Sequence, residues 1–374
     1  MPSRSGITRS VSSDADERSS RTQVSITSDL DEGTWRDFVE AQPDANVFHT
    51  PEMFELLARA DRHRPSLWAA TDGGGSVLAL FLPVEVSLFD GPLAAWSSRS
   101  VAYGGLLCAD DPSAGRAIVP LMTAYRRAVR RRVLFTELRH LTDPAHLRPA
   151  LRAAGFAHED HLNYVVQLDR PEEDLWGALS KTARQRVRSA ERKGVVVDEV
   201  TNQVDADDAY RLLEQVYRRA GVPLAVRSLF QEALSVLGPC EMFRIFVARL
   251  GEQVIGTRFL LLREDRMIDW YAGSDRAFAS YSPNELLVWH TLRWGQEHGF
   301  QVFDFGGAGR PDEPYGPREF KSKFGGELVN FGRDVLVHAP LRLRMSRVAY
   351  DAAHRLLWGR APAASGERIG EREP

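Results

Sequence analysis

Apolar positions recur at three- and four-residue spacing over residues 32–41 and 51–60, which predicts two short helices. The second opens with Thr50 as N-cap and Pro51 at the first helical position. Alternation then takes over. Residues 66–71 and 77–88 read as a hairpin joined through Asp72-Gly73-Gly74-Gly75. A basic helix at 113–131, a strand at 133–138, a helix at 144–154 stopped by Gly155 and a strand at 164–168 complete a first unit. The order then returns. Helical spacing covers 174–193, 205–220 and 227–237, followed by a hairpin of 242–250 with 253–262 and a third strand at 267–272. Ser282 and Glu285 stand at capping-box spacing ahead of a long helix that Gly299 ends, and residues 302–305 form the next strand.

Helices, an antiparallel meander, one long helix and a further strand describe an α+β unit used twice, over residues 23–169 and 170–340. No long interrupted linker divides the halves, so they are expected to share an interface whose cleft is the natural ligand site. A C-terminal helix is expected at 341–359, and the polar stretches 1–22 and 360–374 read as disordered tails. A length of 374 residues agrees with two domains.

A net charge of -3 gives no general attraction for nucleic acid. No apolar run approaches the roughly 18 residues of a membrane span and no secretory signal is read in residues 1–22, so a location in the cytoplasm, or peripherally at the inner face of the membrane, is expected. Cys108 and Cys240 lie far apart without metal-ligand spacing and read as small buried thiols of a reducing compartment; no metal site is expected. The chain has no P-loop, HExxH, GxSxG or GxGxxG after a first strand, so the nucleotide hydrolases, zinc proteases, serine hydrolases and Rossmann oxidoreductases lack their usual marks.

Local chemistry concentrates in FDFGGAGRPDEPYGPREFKSKFGG, from Phe303 to Gly326. A strand ending in Asp304 runs into Gly306, Gly307 and Gly309, where bare backbone N–H groups could hold an anion or a carbonyl oxygen. Phe320, Lys321 and Lys323 then set positive charge beside apolar rings, and the plain alternative is a loop followed by an edge strand. Upstream, Lys181, Arg184, Arg188 and Arg192 form one stripe of a helix whose other face is apolar; the stripe is either a phosphate-docking face or a solvated one. The run Arg126, Arg127, Arg130, Arg131 and Arg132 closes a helix, where cations complement the macrodipole. Tyr271 alternates with Trp270 on its strand and is expected to face the cleft while Trp270 packs.

The segment KTARQRVRSAERKGVVV (181–197), the strands around GTRFLLL and IDWYAGSDRAF, and VFDFGGAG followed by REFKSKFGG resemble the second domain of the Fem-type aminoacyltransferases, which build peptidoglycan interpeptide bridges. They are similar also to GNAT-like acyltransferases of cell-envelope polysaccharide clusters, and FHTPEMFELL resembles the first domain. The resemblance implies a tandem of two GNAT-like domains that transfers an acyl or aminoacyl group to an amine, from acyl-CoA, acyl-carrier protein or aminoacyl-tRNA as cosubstrate, with no tightly bound cofactor. It makes Lys321 and Phe320 the lysine and aromatic beside the acceptor, with Gly306 and Gly307 closing the cleft. Two features depart from the pattern. The segment between Asp198 and Arg227 is too short for the helical hairpin suited to tRNA, and residues 271–282 lack the pyrophosphate loop of acetyl-CoA enzymes.

Amide formation needs a neutral amine, an oxyanion site and a protonated leaving group. Lys321 or the glycine loop could hold the oxyanion, with Asp304, Glu319 and Asp269 as candidate bases. The basic stripe would take phosphates of the donor or of an envelope precursor. The competing readings are a non-catalytic module that binds such a precursor or a partner, and a tRNA-binding protein.

Overall fold

The computed structural model describes residues 24–87, 91–111 and 114–358, so the two expected tails lie outside the described residues. Three sheets carry the fold. A four-stranded antiparallel sheet runs Ser25–Thr27, Trp68–Thr71, Val77–Phe81 and Leu106–Cys108. A six-stranded sheet runs His63–Pro65, Val84–Val86, Arg99–Tyr103, Phe135–Arg139, Arg333–Val337 and Ala157–Glu159. A seven-stranded sheet runs Val195–Glu199, Phe243–Leu250, Gln253–Arg263, Arg266–Ser274, Val302–Gly307, Leu162–Gln167 and Glu327–Asn330.

Each half contains one parallel pair joined by its longest crossover helix. In the first, Arg99–Tyr103 and Phe135–Arg139 flank the helix Ala114–Val129; in the second, Arg266–Ser274 and Val302–Gly307 flank Pro283–Glu297. The repeat expected from the pattern is therefore present, with Arg99–Tyr103 added as a strand that the pattern did not reveal. The halves also exchange strands. Leu162–Gln167, read as the close of the first unit, inserts between Val302–Gly307 and Glu327–Asn330 of the seven-stranded sheet. Arg333–Val337 returns to pair between Phe135–Arg139 and Ala157–Glu159. The expected hairpin forms between Trp68–Thr71 and Val77–Phe81, but its second strand, expected over 77–88, divides, since Val84–Val86 joins the other sheet.

Apolar packing crosses the same boundary. Val47, Met53 and Leu56, from the first half, share a buried cluster with Phe230, Phe243 and Tyr271 of the second. The helix expected over 174–193 is two, Glu172–Ala178 and Lys181–Arg192, because Ser180 caps the second by accepting from the Ala183 N–H at 3.1 Å. The capping box at Ser282 does not form. Ser282 is left-handed (φ 55°) and closes the preceding turn through its N–H to the Ala279 carbonyl, while buried Glu285 pairs with Arg186 at 3.4 Å. Cys240 is exposed and Cys108 half-buried, so neither is the fully buried thiol expected.

Candidate active site between the two halves

The parallel strands of the second half pair only from Arg266 to Ile268 against Val302 to Asp304. Beyond that they part, although Arg266–Ser274 continues to pair on its other side up to Ser274. A bulge accompanies the parting: Tyr271 faces Phe259 and Asp269 faces Leu260, leaving Trp270 as the extra residue. The first half has no such opening, because its parallel pair stays in register through Tyr103 and Arg139.

A cleft lies at the parting, where the six- and seven-stranded sheets face each other. Tyr103, Arg139 and His140 line it from one side and Asp269, Trp270 and Gly306 from the other, with Asn163 and Arg333 from the two exchanged strands. The bulge puts both aromatics in one buried cluster. Trp270 packs on Phe230 and Phe243, as expected, and also borders the cleft, whereas Tyr271 is buried against Phe230 at 4.7 Å between ring centres and does not line it.

Asp269 is the most unusual group here. One carboxylate oxygen pairs with Arg258, and the other is buried without a hydrogen-bond partner. Burial pushes its pKa above the ordinary carboxylate value, offset only in part by Arg258 and Lys321. Arg258, which the sequence reading did not single out, is itself buried, reaches Asn284 at 3.4 Å and lies 5.9 Å from the Phe305 ring centre. A buried arginine in the apolar strand VIGTRFLLL was the available signal.

Lys321 belongs to the helix Gly316–Lys321, not to a loop or edge strand. Its ammonium donates to the carbonyls of Phe305 at 2.7 Å and Gly307 at 2.6 Å, pinning the end of the parted strand. Phe320 is half-buried on the core and packs at a tilt against Phe324, with ring centres 5.2 Å apart. Gly326 passes so close to the strand Leu162–Gln167 that a Cβ would fall 2.4 Å from the Val165 carbonyl oxygen, so the FGG sequence is a packing requirement.

The other expected site residues separate into groups. Asp304 is fully buried and accepts the Gly306 N–H at 2.7 Å, and it adds no lining to the cleft. Burial raises its pKa, with Gly306, Arg266, Lys321 and Asn163 acting the other way. The expectation of bare amides in the glycine loop is corrected: the Gly306 N–H is taken by Asp304 and the Ala308 N–H by the Leu162 carbonyl. Gly306 (φ 70°) lines the cleft, while at Gly309 a Cβ would press on Tyr315 at 2.9 Å. Glu319 is exposed and outside the lining.

The basic stripe lies on one helix, Lys181–Arg192, but away from the cleft. Arg184 donates to the carbonyls of Gly177 and Leu179, both at 2.7 Å, closing the end of the preceding helix. Arg188 lies over Trp176 at 5.3 Å, and Lys181 and Arg192 are exposed. None of the four lines the cleft.

Cations converge on the cleft from the six-stranded sheet instead. Glu137 bridges Arg139 (3.2 Å) and Arg333 (2.8 Å). Burial works against its charge, but Arg139, Arg333 and Arg99 outweigh that and hold its pKa below the ordinary value. Three guanidiniums thus face one carboxylate, and Arg99 is pushed down by burial and by Arg139. Glu137 lies on the strand expected at 133–138 and Arg139 just beyond it, whereas Arg99 and Arg333 lie on two strands that the hydrophobic pattern does not mark.

The family described as "Acetyltransferase (GNAT) domain" matches residues 178–322. The match covers less than half of the chain, all of it within the second half, and makes that part similar to a GNAT domain. No curated protein sequence matches the chain. Among solved structures, FemX aligns over 86% of this chain and 100% of its own length, at TM-score 0.64 and 14% identity. L-PGS from Bacillus licheniformis aligns over 85% of this chain and 96% of its own, at 0.55 and 13%. A tandem GNAT protein from the clavulanic acid biosynthesis pathway aligns over 84% and 99%, at 0.54 and 13%. At these identities the likeness is one of fold. It agrees with the parallel pair found in each half: the chain is a tandem of two GNAT-like domains, with the strand parting in the second domain alone.

Proposed function

We propose that this protein is an N-acyltransferase that moves an acyl or aminoacyl group onto an amine held between the two GNAT-like domains. The observation that carries the reading is Asp269, a buried carboxylate with one oxygen unpaired, lining the cleft where the strands part. The donor carbonyl would enter at the parting. Asp269 would take the proton of the attacking amine, and Lys321, whose charge bears on Asp269, would face the developing oxyanion from the pinned strand end; the donor's thioester or ester bond then breaks, and the departing thiol or hydroxyl takes the proton that Asp269 holds.

The arginines suit an acceptor that carries negative charge besides its amine, which agrees with a phosphate-bearing cell-envelope precursor. FemX and L-PGS supply the analogy for aminoacyl transfer, and the GNAT match supplies that for acyl-CoA. On the donor side, Asp275 caps the turn before Pro283–Glu297 by accepting the Ala277 N–H at 3.0 Å. A carboxylate there disfavours a pyrophosphate on those amides, so donor phosphates would be held elsewhere.

A second reading has its own support. The loop amides at Gly306 and Ala308 are already bonded and the Lys321 ammonium serves two carbonyls, which suits a binding module that has lost catalysis. Kinetics separate the two. For a base with raised pKa, kcat/KM rises with pH through a limb above the ordinary carboxylate value of about 4. Asp269→Asn is expected to remove that limb and slow turnover about 100- to 10,000-fold. An unchanged profile in the variant sinks Asp269 as base.

A further inference from the structure

Eight large apolar side chains are exposed among the described residues, and five of them, Trp96, Val337, Leu341, Met345 and Val348, belong to one region around the helix Pro340–Trp358. The helix accounts for the grouping. Leu341, Met345 and Val348 follow at four- and three-residue spacing and so share a face, 61 to 74% exposed. Leu343, two positions from Leu341, points the other way and is buried against Leu134 and Phe135. From Leu341 to Val348 the helix is therefore docked by its inner face and presents an apolar outer stripe. Val337 ends the strand that leads into it, and Ser346 donates to the Trp96 carbonyl at 2.6 Å, which brings the exposed indole alongside.

Cations border this face. Arg344 is exposed next to the stripe, and Arg342 reaches across to the Arg131 carbonyl at 3.2 Å, which fixes the helix beside the end of Ala114–Val129. There Arg126, Arg127, Arg130 and Arg131 are all exposed, and none forms an ion pair among the described residues. The helix dipole accounts for one or two cations at that terminus, not for a block of this size next to an uncovered apolar stripe.

We infer that this surface docks the protein on an anionic lipid bilayer, with Leu341, Met345, Val348 and Trp96 in the headgroup region and the arginines against lipid phosphates. A convex helical stripe offers no groove for a peptide, whereas a narrow apolar face bordered by arginine is how an interfacial helix meets a fluid surface. The inference does not depend on the transferase reading, since no residue of the patch lines the cleft.

Flotation of the full-length protein with vesicles tests it. Vesicles of equal phosphatidylcholine and phosphatidylglycerol are expected to carry about tenfold more protein than phosphatidylcholine alone, with the excess lost at high salt. Leu341→Glu with Met345→Glu, and separately Arg130→Glu with Arg131→Glu, are expected to cut the bound fraction about tenfold without shifting the melting temperature, because all four side chains are exposed. Equal flotation on both vesicle types, none on either, or binding that both variants retain overturns the inference. So does a wild-type dimer that the Leu341→Glu, Met345→Glu variant converts to monomer while neither floats, since the stripe would then join two copies.

Discussion

Lys321 and Asp269 carry opposite charges close to one cleft, and the two differ in what holds them. Lys321 is satisfied by the Phe305 and Gly307 carbonyls, so its replacement affects both the strand end and the charge at the site. Lys321→Met is expected to lower kcat about 100- to 1000-fold. It should also cost about 1–3 kcal/mol in urea denaturation, from carbonyls left without a donor. A folded variant with wild-type kcat would show that the ammonium is only a tether. The sequence made Lys321 visible as a cation beside aromatic rings, but it could not separate Asp304 from Asp269. Both stand on apolar strands of similar pattern. The distinction comes from three-dimensional detail: Asp304 is enclosed by the turn it caps, whereas Asp269 precedes a bulge that opens toward the cleft.

At the scale of elements, the strongly periodic segments were legible and their breaks were not. The two hairpins, the crossover helices and the cap at Thr50 follow from local pattern, and Thr50 does accept the Met53 N–H at 3.2 Å. The division at Ser180 escaped because apolar spacing runs on through Leu175, Leu179 and Ala183, all buried in one cluster. Only the cap bond marks the new start. Ser180→Ala is expected to destabilise the protein by about 1 kcal/mol, read as a shift of the urea midpoint. A change within a few tenths would mean that Arg184, which closes the preceding helix, holds this junction by itself. The bulge at Trp270 escaped for a related reason: strict alternation sets Trp270 and Tyr271 on opposite faces, and one inserted residue lets both enter the same buried cluster.

The whole molecule is bound together by the exchange of Leu162–Gln167 and Arg333–Val337, pairings between distant parts of the chain that no local pattern encodes. Each half completes the other's sheet, and a shared apolar cluster joins them. Calorimetry is therefore expected to show one cooperative transition, and fragments cut between residues 169 and 170 are expected not to fold separately. Two resolved transitions would contradict that coupling. The same exchange builds the cleft, since Asn163 and Arg333 reach it from the exchanged strands. The central claim, acyl transfer to an amine in that cleft, is tested most directly by incubating the protein separately with acyl-CoA, acyl-carrier protein and aminoacyl-tRNA, each with a pool of amine acceptors, and following donor loss and amide formation by mass spectrometry. One donor is expected to be consumed with a matching amide product, and Asp269→Asn is expected to abolish both; no consumption of any donor, or consumption undiminished in that variant, would contradict the account.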